Sequence, residues 1–136
     1  MKRSIPFFFI VASAMIGLSS CVTSPTASQM RRANSSLKQS AKMAKQGDYS
    51  GARTAAAVVG RSVHTGIELA PIVTSKTGQK VNLKPMLTSW ESGPYQDLKT
   101  ALKGKQQKAA TIAFTNLRGQ CTNCHSAIGR PNIHLN

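Results

Sequence analysis

The side chains best equipped for chemistry lie in one short run: Cys121, Cys124 and His125, with Thr122 and Asn123 between the thiols. On a helix, residues three and four apart share a face. Both thiols and the imidazole would then project to the same side. Two thiols at that spacing can bond the two vinyl groups along one edge of a porphyrin, and a histidine next to the second can ligate the iron beneath. Cys-x-x-Cys-His at this spacing therefore reads as a c-type haem attachment site, with Cys121 and Cys124 as thioethers and His125 as proximal ligand. Other uses of the same residues fit less well. A disulfide across three helical residues is strained and closes a tiny loop. A thioredoxin-like pair expects a βαβ setting, which is not present here. A zinc site built from Cys121, Cys124 and His134 needs a fourth ligand, and no second pair has the spacing to supply it.

The elements that must position this run are helical. No segment shows the alternation of a strand. Ser24 followed by Pro25 starts a first helix that runs to about Lys45, with Met30, Ala33, Leu37, Ala41 and Ala44 as its inward stripe. Gly47 and Asp48 end it, and Asp48 or Ser50 caps the next. A second helix spans about 51–70, with Ala52, Ala56, Val59, Val63, Ile67 and Ala70 inward and Pro71 at its end. Residues 74–80 read as a polar surface connection. A short helix can start at Pro85, and Gly93-Pro94 interrupts it. A third main helix covers Pro94 to Lys103, with Leu98, Ala101 and Leu102 inward, and Gly104 stops it. The last helix spans about 106–128 through Ala110, Phe114, Leu117, Cys121, Cys124 and Ile128, and Gly129 and Pro131 close it. Four helices with short connections imply an all-α, antiparallel four-helix bundle with the haem on its C-terminal helix. The domain is expected over 25–130, with residues 131–136 as a tail.

The start of the chain reads as an export signal. Lys2 and Arg3 precede an uncharged apolar run from Ile5 to Leu18. That run is shorter than the about 20 residues a membrane span needs, and it suits a secretory signal. Leu18-Ser19-Ser20-Cys21 resembles the bacterial lipobox, which implies cleavage after residue 20 and lipidation of Cys21. Residues 21–24 would then form a short tether, and acyl chains on Cys21 would hold the protein at a membrane. Val22 and Thr23 lack the Asp that resembles an inner-membrane retention signal, which favours the outer membrane, with the domain facing the periplasm. The mature chain would carry a net charge of +12, against +14 for the whole sequence. An exported lipoprotein meets no nucleic acid in its normal work, so the basic surface points to an acidic redox protein or anionic lipid head groups. The four carboxylates, Asp48, Glu68, Glu91 and Asp97, include none beside a candidate histidine in sequence, so no substrate turnover is expected.

The haem motif lies close to the end of the sequence, so a second axial ligand must come from upstream. Here the chain resembles the cytochrome c prime family, the class II c-type cytochromes, over residues 25–130. The residues that carry the resemblance are Cys121-Thr122-Asn123-Cys124-His125, the turn Lys45-Gln46-Gly47-Asp48-Tyr49, and Lys84-Pro85-Met86-Leu87-Thr88-Ser89-Trp90 at the start of the third helical region. Two departures stand out: a third-helix region about ten residues short, and Ala127-Ile128-Gly129-Arg130 in place of an aromatic-Arg pair. The resemblance implies a residue of the first helix over the open face of the iron, and Met30 is its counterpart here. A Met at that position implies a six-coordinate haem suited to one-electron transfer. A non-ligating residue, such as Leu37, implies a five-coordinate haem that binds nitric oxide or another small gas. His64, Met43 and His134 are weaker candidates for the iron. Arg31, Arg32 and Arg130 are candidate propionate partners. Family members are often dimers through their first two helices, which makes a homodimer an open expectation. A haem-free lipoprotein with an interaction role is the plainest alternative.

Overall fold

The computed structural model of the chain describes residues 24–130, so the signal run, Cys21 and His134 lie outside the described residues. The described chain is helical: α1 (Pro25–Lys45), α2 (Tyr49–Leu69), α3 (Lys84–Ser92), α4 (Pro94–Lys103) and α5 (Gln107–Ala127). Between α2 and α3 lies a small antiparallel ribbon of β1 (Ile72–Thr74) and β2 (Lys80–Asn82).

Local chemistry explains most of the helix ends. Ser24 accepts a hydrogen bond from the Ala27 amide at 3.2 Å, and Pro25 takes the first helical position, where its missing N–H costs nothing. At the other end of α1, Gly47 adopts φ +81°. This lets its amide donate to the Ala44 carbonyl at 3.1 Å and the Asp48 amide to that of Met43 at 3.0 Å, a closed C-terminal motif. The Asp48 carboxylate then caps α2 by accepting from Gly51 at 2.8 Å. The same closure joins α4 to α5, through the amides of Lys105 and Gln106 and the carbonyls of Leu102 and Ala101. Here the left-handed residue is Lys105, at φ +53°, and not the expected stop Gly104, which stays right-handed at φ −77°. The hydrogen bonds decide the position, and a lysine meets the cost of that backbone.

The ribbon corrects the reading of a wholly helical chain. Three-residue strands are too short to show alternation, but Ile72-Val73-Thr74 is a β-branched run. Val73 faces Val81 across the ribbon, and both pack inward. The 74–80 segment is the turn of this hairpin, closed by Ser75, whose amide donates to the Gln79 carbonyl at 2.8 Å.

One core joins the helices. From α1 come Ala33, Leu37 and Ala44; from α2 Ala52, Ala56, Val59, Val63 and Ile67. Leu87 and Trp90 of α3, Leu98, Ala101 and Leu102 of α4, and Ala110, Ala113, Phe114 and Leu117 of α5 complete it. The seam of α1 and α2 is lined with small residues, and the buried Ser40 hydroxyl donates to the Ala52 carbonyl at 2.7 Å. Across the Gly93 break, Trp90 stacks on Tyr95 with ring centres 4.5 Å apart. Tyr95 lies over Gly60, where a β-carbon would collide with its ring, and its hydroxyl donates to the Ala56 carbonyl at 3.2 Å.

Candidate haem-attachment site

Helix α5 carries Cys121, Cys124 and His125 near its C-terminus, on one face as the spacing requires. All three are half-buried, and the two cysteines pack against the core as free thiols. The helix ends just beyond them in a third closed motif. Gly129 takes φ +71°; its amide donates to the Ser126 carbonyl at 2.9 Å, and the Arg130 amide donates to the His125 carbonyl at 2.8 Å. The turn therefore fixes the backbone of His125 itself. It also seats the ribbon against the helix end, because a β-carbon on Gly129 would stand 3.1 Å from the Lys76 backbone nitrogen.

Burial sets the protonation of the group. It pushes the Cys121 thiol up to about 11, with the neighbouring Cys124 adding to the shift, and it raises Cys124 as well. His125 moves the other way: burial, and then the positive charge of Arg130, lower its pKa. The imidazole is thus held in the neutral form that a metal requires. Its Nδ1 is buried and has no hydrogen-bond partner among the described residues; the same is true of Trp90 Nε1 elsewhere in the core. A buried ring nitrogen without a partner is costly in an ordinary core and useful in a ligand. Two reduced thiols, a neutral imidazole and an unpartnered ring nitrogen on one helix face fit a covalently held haem. Among the described residues, no three His, Cys, Asp or Glu side chains gather as they would around a bare metal ion; His134, the third ligand of the zinc alternative, lies outside them.

Counting along the helices locates the distal candidates. A shallow groove is lined by Ala41 and Ala44 of α1 and by Ala110, Thr111 and Phe114 of α5, so the end of α1 lies beside the start of α5 and the two run antiparallel. Met30 is fourteen residues back from Ala44, and His125 is fourteen forward from Thr111. At about 1.5 Å per residue the two reach similar heights. Leu37, fully buried, lies about two turns above that level. Met30 is half-buried at the core edge, and its thioether rests over Gly66 of α2: a β-carbon there would stand 2.8 Å from Met30 Cε and 3.7 Å from its sulfur. Nothing in the hydrophobic periodicity marked Gly66 as the floor for Met30. A glycine on an inward face is the signal that would have found it.

The remaining candidates separate clearly. His64 is exposed and its Nδ1 lies 2.9 Å from Glu91 Oε1. No carboxylate is a neighbour of a histidine in sequence, but the fold brings this pair together across 27 residues. Met43 lies against the turn at Gly51, at the opposite end of α1 from Met30. Arg31 and Arg32 are exposed, and neither forms an ion pair among the described residues. Arg130 is also exposed, yet close enough for its charge to act on His125.

Comparisons with protein-family models, with curated proteins and with solved structures each return no match.

Proposed function

We propose that the chain is a monohaem c-type cytochrome that transfers single electrons in the periplasm, on a four-helix bundle like that of the cytochrome c prime family. The observation that carries this reading is the grouping of Cys121, Cys124 and His125 on one half-buried face of α5, with a buried imidazole nitrogen that no group among the described residues satisfies. Cys121 and Cys124 would hold haem c covalently, and His125 would supply the proximal nitrogen. When bound, the haem supplies an iron centre that cycles between ferric and ferrous forms. The chain's own residues do the rest. The turn at Gly129 orients His125, burial and Arg130 keep its ring neutral, and the core side chains around the thiols exclude water.

Met30 is the proposed distal ligand, because it comes from α1 at the height of His125 and carries a sulfur at the core edge. Arg31, Arg32 and Arg130 are proposed to offset propionate charge. The strongly basic sequence suits an acidic redox partner. Cys21 is proposed as the lipid anchor that keeps the domain at the periplasmic face of a membrane, and a homodimer through α1 and α2 belongs to the same reading.

The test is an absorption spectrum of the chain produced with a working cytochrome c maturation system, first oxidised and then reduced. The expected result is sharp reduced bands and a weak far-red band in the oxidised form, lost in Met30→Ala. A broad high-spin spectrum that shifts with carbon monoxide or nitric oxide would move the reading to a gas-binding haem protein. No haem absorption would overturn both.

A further inference from the structure

Beside the residues already assigned to the haem, one end of the molecule carries an exposed apolar pair that the electron-transfer reading does not use. The start of α1, the end of α2, the ribbon and the end of α5 all meet there. Met30 rests on Gly66, Lys76 lies against Gly129, and the Leu83 amide donates to the Pro71 carbonyl at 2.8 Å. Leu69 and Ile72 stand at this end 54% and 60% exposed; among the described residues the other exposed large apolar side chain, Ile112 at 53%, is on the first half of α5. The ribbon's register puts Ile72, Thr74, Lys80 and Asn82 on its outward face, while Val73 and Val81 turn inward. Lys80 shares the ribbon's outward face with Ile72, and Lys76 and Arg130 are exposed where the hairpin turn meets the end of α5. The acidic side chain closest to the pair in sequence, Glu68, is occupied by Lys84 at 3.6 Å.

An exposed Leu–Ile pair at an end that also exposes cations has the chemistry of a surface that lies on an anionic bilayer: the apolar groups enter the interface and the cations meet lipid phosphates. The chain length agrees. Two residues, Val22 and Thr23, separate Cys21 from Ser24, the cap of α1, and the three peptide steps reach at most about 11 Å. A lipid on Cys21 would therefore hold this end, and no other, against the head groups.

We infer that the end formed by Leu69, Ile72, Lys76, Lys80 and Arg130 docks on an anionic phospholipid surface. This rests on the lipoprotein reading of Cys21, and it adds an orientation: α5 ends towards the membrane, so Cys121, Cys124 and His125 lie in the membrane-proximal half. A redox partner is then met at the membrane plane.

Lysine acylation, read by mass spectrometry on the full mature chain, tests the orientation. The chain is compared on vesicles of equal parts phosphatidylcholine and phosphatidylglycerol and in detergent. Lys76 and Lys80 should label at least about fivefold more slowly on the vesicles, and Lys99 and Lys103 should not change. Equal labelling throughout, or protection at Lys99 and Lys103, would overturn the orientation. The same spectra show whether Cys21 carries a lipid, so failure of the lipoprotein reading is seen separately. Cys21→Ser tests the surface without any anchor. It should sediment with the phosphatidylglycerol vesicles and not with phosphatidylcholine alone. Adding Leu69→Ser and Ile72→Ser should weaken that binding about tenfold, with the circular dichroism unchanged. Binding equal to that of Cys21→Ser alone would refute the docking surface.

Discussion

The two halves of α5 differ although one periodic stripe runs through both. From Gln107 to Leu117 the stripe is covered by protein: Ala110, Ala113, Phe114 and Leu117 are all buried. Beyond Leu117 the stripe continues through Cys121, Cys124 and Ile128, and none of them is fully buried. The first half is solved by side-chain packing alone. The second presents thiols, an imidazole and one apolar side chain that the other helices cover only in part. Inward spacing with incomplete coverage is how a helix looks when the protein is not the only thing it packs against.

Substitutions in the two halves should therefore fail in different ways. The largest effect belongs to the second half. Cys121→Ala with Cys124→Ala should abolish covalent haem, measured as haem that stays with the denatured chain, and leave the helical circular dichroism of the haem-free protein in place. Next comes Leu117→Ala in the first half, which should cost about 2–5 kcal/mol in denaturant unfolding while haem is still attached. If Leu117→Ala also prevented attachment, the division of the helix would be wrong.

The third prediction concerns pH and the haem-free chain. The folded protein holds the Cys121 proton up to about pH 11, whereas an ordinary thiol releases it near 9.0. Between those values the folded state binds more protons than the unfolded one, so stability is complete below pH 9 and falls as pH rises through the window. The loss should be of the order of 2 kcal/mol by chemical denaturation, and Cys121→Ser should remove most of the slope. The smallest effect lies at the far end of the molecule, in the turn before α5. Lys105→Gly should raise stability by about 1 kcal/mol, because glycine takes the left-handed backbone without strain. No change in melting temperature would show that the Lys105 side chain offsets that strain.

Much of this was legible in the sequence because local chemistry sets it. Ser24-Pro25, Gly47-Asp48 and Gly93-Pro94 mark helix ends through caps and missing donors, and the helices begin and end within two residues of those marks. The inward stripes of α1, α2 and α5 also follow the spacing, except at Ala70, which lies just past the end of α2 and does not join the side chains packed on the core. The ribbon was not legible, since three residues give no period. Lys105 was hidden by the adjacent glycine, which is the more usual left-handed residue. Within the site, the thiols and His125 could be read from residue type and spacing. The floor under Met30, the seat of Lys76 on Gly129 and the His64–Glu91 pair could not, because each joins residues far apart in the chain. Long-range packing chose them.

The raised pKa of Cys121 also bears on timing. A thiol reacts chiefly as its thiolate, and burial makes that form scarce once α5 has docked. Any modification of Cys121 that proceeds through the thiolate is therefore fastest while the chain is still open, and it slows as the helices close. The fold sets a deadline for its own maturation.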